Sequence, residues 1–363
     1  MSEGVGRSQV VPYVVRLAQR GVDVTLHSFE KQSPDPQVGE RLAAAGVRWR
    51  PHPFRGGGAA AGVGRVAQGA ALVRGAPLVH ARSDLAAASC MASGRRCWLW
   101  DMRALWREER IAAGLLAPGS PQERAMRKVE DAAAHRSRGI ITLSAAAVEI
   151  LRERYGEAVA GKCRVITTCV DLDRFALSPP PPTDPLRLLL AGTLSPVYDV
   201  AGMVRLVARL RARGGRPVTL TVLTPDPGPW RSELEEVGAV TGWVDAADMP
   251  AEVSAHHVGL SMRNLDVSNR AATPTKLGEF LAAGRPVVVS PGLGDMDRVV
   301  ADHDCGVVVD DRSDDGLDRA AAEIERLSED PGTAARCRAA ALAYFDLEKG
   351  VDQLLAAYGD ARR

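Results

Sequence analysis

Thr273, Pro274, Thr275, Lys276 and Glu279 stand together in the segment AATPTKLGEFLAAGRPVVVS, residues 271–290. Thr273 or Thr275 can cap a helix whose first turn holds Lys276 and which ends near Gly284, with Pro286 opening a strand. A helix start presents backbone N–H donors and the positive end of the peptide dipole, and a lysine beside them makes an anion site. The dipole contributes only ~0.3–1 kcal/mol, whereas each hydrogen bond to a charged phosphate adds ~1.5–3 kcal/mol. Donor geometry therefore decides the affinity. Glu279, one turn beyond Thr275, lies on the same face about 6 Å along the axis. That reach suits a carboxylate accepting from a ribose diol while the amides hold a diphosphate. An ordinary surface helix with a solvated lysine and glutamate shows the same pattern, so spacing alone leaves both readings open.

Other candidates stand where apolar runs end. Asp101 and Arg103 stand at the carboxyl end of the run 96–102, Arg82 and Ser83 end the run 78–83, and Arg263 follows the run 258–262. In parallel sheets the loops at the carboxyl ends of strands line ligand clefts. The alternatives are that Asp101 caps the next helix, Arg103 pairs with Glu108 or Glu109, and Arg263 forms a surface salt bridge. His256 and His257 are adjacent, so on a helix they point about 100° apart, and no third metal ligand is evident. None of the seven histidines is assigned to chemistry. The six cysteines include no C-x-x-C pair and read as small buried apolar residues.

These groups need a frame to position them. A chain of 363 residues fits two domains, and 46% apolar residues suffice for two cores. Apolar runs rich in Val, Ile and Leu fall at 22–29, 78–83, 96–102, 139–144 and 163–170, separated by helical stretches. Residues 178–185, SPPPPTDP, can continue neither a helix nor a central strand and read as a linker. The alternation restarts at 186–193, 218–224, 258–262, 286–290 and 305–310. Continuously apolar strands alternating with helices imply parallel sheets covered on both faces. The expected fold is therefore α/β, two Rossmann-like doubly wound domains facing across a cleft. The amino-terminal side is unusual: residues 10–20 read as a helix and no apolar run precedes them. Either the native start lies upstream of Met1 or the sheet lacks a central strand; the former is favoured, because the latter exposes two unpaired ladders. Lys plus Arg number 46 against 45 Asp plus Glu, which argues against a general nucleic-acid binder. No run approaches the ~20 apolar residues of a spanning helix, so a cytoplasmic protein is expected, with peripheral contact at the inner membrane face left open.

The segment 271–290 resembles the donor-binding stretch of glycosyltransferase family 4, in a subgroup reading S-x-P-T-K-L-x-E-Y-L-A-x-G-x-P-V. The resemblance extends to residues 4–13, GVGRSQVVPY, and 27–31, HSFEK. It continues through 80–83, HARS; 100–110, WDMRALWREER; 168–175, TCVDLDRF; and 292–295, GLGD. It implies a retaining, metal-independent transferase of the GT-B fold. Such an enzyme moves a sugar from a nucleoside-diphosphate sugar to a hydroxyl or amine of a small-molecule, glycan or lipid-linked acceptor, without a cofactor. By resemblance, Gly4 and Gly6 form a loop approaching the donor diphosphate, Gly192 and Thr193 open the donor-side loop of the second domain, Lys276 neutralises the diphosphate, and Glu279 holds the ribose. Asp101 would orient or deprotonate the acceptor hydroxyl, a role that contributes ~10²–10⁴-fold for a positioned general base. Arg103 would face an acceptor phosphate, and Arg82 and Ser83 would line the same side. Asp171 and Asp173 match a structural motif of the family rather than a metal pair. The implied division is 1–177 for the acceptor side, 178–185 for the linker, 186–346 for the donor side and 347–363 for a helix returning to the first domain.

Two departures bear on this. Many members carry a glutamate at the position of Ala271, and cations where this chain has GTLSPVYD, residues 192–199. Leaving-group stabilisation would then rest on Lys276, the helix start and Arg263. A nucleotide-sugar epimerase on the same fold, or a degenerate nucleotide-sugar-binding partner subunit, are the alternatives.

Overall fold

The computed structural model of the chain describes residues 4–363. It divides into two compact units, one running to Thr167 and taking back Leu347–Arg363, the other spanning Thr168–Asp346.

In the second unit six parallel strands form one sheet: β7 (Leu186–Ala191), β8 (Val218–Leu223), β9 (Val240–Gly242), β10 (Val258–Ser261), β11 (Val287–Val289) and β12 (Gly306–Val308). Their order is β12-β11-β10-β7-β8-β9. This is the doubly wound order, and the winding reverses between β7 and β10, where such folds open a ligand crevice. The apolar runs are continuous because both faces are covered. Leu186, Leu188 and Leu190 enter one core with Val200, Met203 and Leu206, while Leu189 and Ala191 enter the opposite one with Leu277 and Phe280. The helix Thr275–Ala282 lies so close to β10 that a Cβ on Gly259 would fall 2.2 Å from the Phe280 ring.

The first unit holds β1 (Thr25–Glu30) and β2 (Arg48–Pro53) as one parallel pair. β3 (Val79–Arg82), β4 (Trp98–Asp101), β5 (Gly139–Thr142) and β6 (Cys163–Val165) form a separate parallel sheet in that order. One side of the β1–β2 pair is packed by Val11 and Val15 of the helix Val11–Gln19 and by Val38 and Leu42 of the helix Pro36–Ala44. β4 is buried at every residue, with Trp98 and Trp100 fully enclosed. Among the described residues β1 pairs only with β2, and β3 only with β4, so each keeps an open edge. Among the described residues no strand precedes β1: the backbone is helical from Gly4, passing through a π-turn at Gly6–Val10 into the first helix. The expected loop at Gly4 and Gly6 is thus corrected. Neither glycine has a positive φ, and their backbone is taken up by helical hydrogen bonding.

The division between units also falls earlier than the proline-rich segment. Val170, Leu172 and Phe175 bury themselves in the second unit's core. The guanidinium of Arg285, 2% exposed, donates to Ser178 O at 3.2 Å, Ser178 Oγ at 2.8 Å, Pro179 O at 2.7 Å and Ser254 O at 2.9 Å. The segment is strapped to the second unit, because a buried guanidinium needs acceptors and proline-rich backbone has carbonyls free of ladder bonds. Two strands escaped the sequence reading. β2 contains Pro51 and Pro53 and little apolar content, and β9 is an exposed edge of three residues.

The helix Leu347–Arg362 returns to the first unit. Arg16 and Arg20 pair with Glu348 at 2.7 and 2.8 Å, Arg20 also with Asp352 at 3.0 Å, and Arg164 with Asp360 at 2.8 Å. Cys97 Sγ donates to Ala361 O at 3.3 Å.

Candidate functional site

In the second unit the helix Thr275–Ala282 starts at a Pro274 cap that carries no side-chain hydrogen bond. The residue at the cap position is Pro274, between the two threonines expected to hold it; it has φ −60° and ψ 132°, extended backbone that a pyrrolidine ring favours. Thr273 is buried, and Gly294 packs against it with φ 55°; a Cβ on Gly294 would sit 3.0 Å from Thr273 Oγ1 and 2.5 Å from Ala272 O. Lys276 Nζ donates to Glu279 Oε2 at 2.7 Å, and Glu279 is only 5% exposed. A solvated surface pair is therefore ruled out. A buried carboxylate needs its partner, and an ammonium has three donors, so Lys276 can keep Glu279 and still receive an anion. Ala271 is buried at the end of a short 3-10 turn, Val267–Ala271.

The carboxyl ends of β7 and β10 adjoin at the reversal of winding. Gly192, φ 140°, leaves β7 in a conformation that favours glycine, and its N–H donates to Leu223 O at 2.9 Å. Thr193 follows it in the loop. That loop is sewn to the end of β10: Asn264 N donates to Val197 O at 2.9 Å, Asp199 N to Met262 O at 3.2 Å, and Tyr198 bridges to Arg263. The Arg263 guanidinium lies over the Tyr198 ring, 5.4 Å from its centroid. The structure thus brings Gly192, Thr193 and Arg263 to one corner of the sheet.

In the first unit a charged cluster forms at the carboxyl ends of β3 and β4. Arg82 is paired in register with Asp101. Asp101 Oδ2 accepts from Arg82 Nη1 at 3.2 Å and meets His80 Nε2 at 3.0 Å, while Arg103 Nη1 stands 3.5 Å from Oδ1. Burial alone would raise the Asp101 carboxyl, but Arg103, His80 and Arg82 together hold it well below the usual carboxylate range. Such a group is a poor proton acceptor, so of the two roles expected for it the geometry favours orienting over deprotonating. Arg82 is brought down to about 10 by burial and by Arg103, against the pull of Asp101. It also donates to Gln9 Oε1 at 2.6 Å, and Arg103 donates to Ile166 O at 3.2 Å rather than pairing with Glu108 or Glu109. Ser83 has φ 96°, unusual for a side-chain-bearing residue and a form of strain that gathers at functional sites. Its hydroxyl accepts from Ala86 N at 3.5 Å.

His80 was missed by sequence reasoning. Its Nδ1 meets Tyr358 Oη at 2.8 Å, joining the returning helix to Asp101. The available signal was alternation: His80 and Arg82 are two apart on a strand and so share a face. His256 and His257 are internal hydrogen-bonding groups, with His256 Nε2 on Thr221 Oγ1 at 2.9 Å and His257 Nδ1 accepting from Arg187 N at 3.0 Å. Burial brings His257 down to about 4. Asp171 Oδ1 accepts from Asp173 N and Arg174 N, a turn-closing role.

Parallel-sheet units of this kind recur in solved glycosyltransferases of the GT-B fold. Sucrose-phosphate synthase from Thermosynechococcus elongatus matches with TM-score 0.67 at 18% identity, over 96% of this chain and 91% of that one. Anabaena Alr3699/HepE, solved in complex with UDP and glucose, matches with TM-score 0.71 at 14% identity, over 98% and 96%. At the sequence level, the family model for Glycosyltransferase Family 4 matches residues 10–174, and that for Glycosyl transferases group 1 matches residues 185–330. The chain belongs to the group 1 glycosyltransferases, with a family 4 first domain. The D-inositol 3-phosphate glycosyltransferase of Stackebrandtia nassauensis is 32% identical over 196 residues, which are 50% of this chain and 43% of that protein. The chain thus spans less than half the length of this curated relative.

Proposed function

We propose that the protein is a retaining glycosyltransferase that takes a sugar from a nucleoside-diphosphate sugar and places it on an acceptor hydroxyl. The observation that carries this reading is the Lys276–Glu279 pair at the start of the Thr275–Ala282 helix, in a chain of this family. In the reaction the anomeric carbon–oxygen bond to the diphosphate breaks, the electron pair leaves with the diphosphate, and the acceptor oxygen bonds to the same carbon. Lys276 and the helix start would neutralise the departing charge, with no metal ion needed for that task, and Glu279 would hold the ribose. Stabilising charge that develops as the bond breaks is the term that most lowers such a barrier. In the first unit, Arg82 and Arg103 outnumber Asp101, which leaves a cationic corner suited to an acceptor that carries phosphate. A phosphorylated acceptor also fits the name of the Stackebrandtia relative.

Calorimetric titration of UDP, GDP and dTDP, followed by assay of the matching sugar nucleotide for hydrolysis and transfer, tests the reading. One nucleoside diphosphate should bind, and its sugar donor should be consumed. Binding of none of them would overturn the proposal. Binding without donor turnover would favour a non-catalytic partner subunit.

A further inference from the structure

Arg263 is held with unusual care for a residue whose side chain has no polar partner. Its N–H donates to Ser290 Oγ at 2.8 Å, and its carbonyl accepts from Ser290 Oγ at 2.7 Å and from Arg312 Nη2 at 2.7 Å. Ser290 is fully buried. Arg312 Nη1 pairs with Asp199 Oδ2 at 2.8 Å, and Asp199 in turn accepts from Gly202 N at 2.9 Å, capping the helix Val200–Ala212. The Arg312 charge is thus committed to Asp199 and to backbone. The Arg263 guanidinium, by contrast, makes no ion pair and no hydrogen bond among the described residues, and its Nε is buried. It rests on Tyr198, whose hydroxyl lies 3.5 Å from where a Cβ on Gly192 would be. Lys276 is matched by Glu279, whereas Arg263 has no such counter-charge among the described residues. A partly buried guanidinium without acceptors is unfavourable unless a ligand supplies them.

We propose that Arg263 receives the diphosphate of the donor at the reversal between β7 and β10, and that Arg312, Asp199 and Ser290 are positioning residues that fix it there. The assignment rests on the nucleotide-sugar reading above. A planar guanidinium gives two parallel donors to a phosphate. Tyr198 sets the plane by stacking, and the Ser290–Arg312 clamp sets the origin of the side chain. The clamp also ties the site to the Gly192 loop, because Asp199 belongs to that loop and Arg312 does not.

The test is calorimetry with UDP, GDP and dTDP and the corresponding monophosphates, on the wild-type chain and on Arg263→Met, Arg263→Lys, Arg312→Met and the Arg263→Met/Arg312→Met double variant. Arg263→Met should weaken the diphosphate by roughly tenfold or more and leave the monophosphate nearly unchanged, with Arg263→Lys recovering part of the loss. Arg312→Met should lower the diphosphate preference by roughly threefold to tenfold, and the double variant should lose no more than Arg263→Met alone, since Arg312 acts through Arg263. If the wild type binds no diphosphate, the nucleotide-sugar reading itself fails. If the wild type binds one and Arg263→Met keeps its preference over the monophosphate within about twofold, the Arg263 assignment alone is overturned. Additive losses in the double variant, or equal losses for both ligands in Arg312→Met, would overturn the positioning role.

Discussion

Glu279 shows how one side chain decides between two readings of the same motif. Spacing alone is equally satisfied by a solvated helix, but a carboxylate 5% exposed and bonded to Lys276 at 2.7 Å is a built feature. Lys276→Ala leaves that carboxylate buried without a partner, at a cost of about 1–3 kcal/mol of stability. It should weaken a bound diphosphate by roughly tenfold and the monophosphate less, whereas Glu279→Ala should weaken both alike. Calorimetry on the two variants checks this, and equal losses for Lys276→Ala would remove Lys276 from the diphosphate. Asp84 is a second decisive residue. Burial first, then the nearby Glu130 and Glu108, push its carboxyl up to about 7. The folded chain therefore keeps a proton between about pH 4 and 7 that the unfolded chain releases. Stability contributed by that proton is full below about pH 4, falls as pH rises to about 7, and is flat above. The decline should be on the order of 4 kcal/mol, and Asp84→Asn should abolish that part of the slope in denaturant titrations at a series of pH values. An unchanged slope would mean that Asp84 does not titrate there.

At the scale of elements, the helix Thr275–Ala282 is placed by what is missing from two glycines. A Cβ on Gly259 would meet Phe280 at 2.2 Å, and one on Gly278 would meet Phe345 at 2.8 Å, so helix, β10 and Phe345 fit only with hydrogen at both positions. Gly259→Ala should overpack the core by about 1–3 kcal/mol and move the helix that carries Lys276 and Glu279, lowering thermal stability and nucleotide affinity together. Unaltered affinity in a destabilised variant would show that the core relaxes without moving the helix start. Such close packing is invisible in the sequence, where both glycines read as neutral. The strands themselves were legible: β7 and β11 are rich in Leu and Val because both faces are covered. β2 was not legible, since Pro51 and Pro53 suit an edge and break the apolar pattern. The Asp101 cluster was half legible. Strand ends marked Asp101, Arg103 and Arg82, but the register that sets Arg82 opposite Asp101, and the arrival of Tyr358 beside His80, depend on contacts between distant residues.

At the scale of the whole molecule, the chain leaves its first unit at Thr167 and comes back to it at Leu347. The returning helix is tied to that unit by ion pairs to Arg16, Arg20 and Arg164 and by the Tyr358–His80 bond. The ion pairs are exposed, and each contributes little. The apolar face is different: Leu347, Val351 and Leu354 are buried, and each removed from water stabilises by about 1.5–3 kcal/mol. Truncation after Asp346 therefore withdraws several kcal/mol from the first unit while leaving intact the sheet β12-β11-β10-β7-β8-β9 of the second. It also strips His80 of its tyrosine, loosening the ring that meets Asp101 at 3.0 Å. Native-state hydrogen exchange should then show amides of β3, β4 and β5 losing protection in the truncated chain while those of β7, β8 and β10 keep theirs. On the proposed function, which assigns the diphosphate to the second unit, diphosphate affinity should survive where transfer does not. Uniform loss of protection across both sheets would mean that the returning helix stabilises the molecule as one cooperative body, and that the two units cannot be assigned separate stabilities.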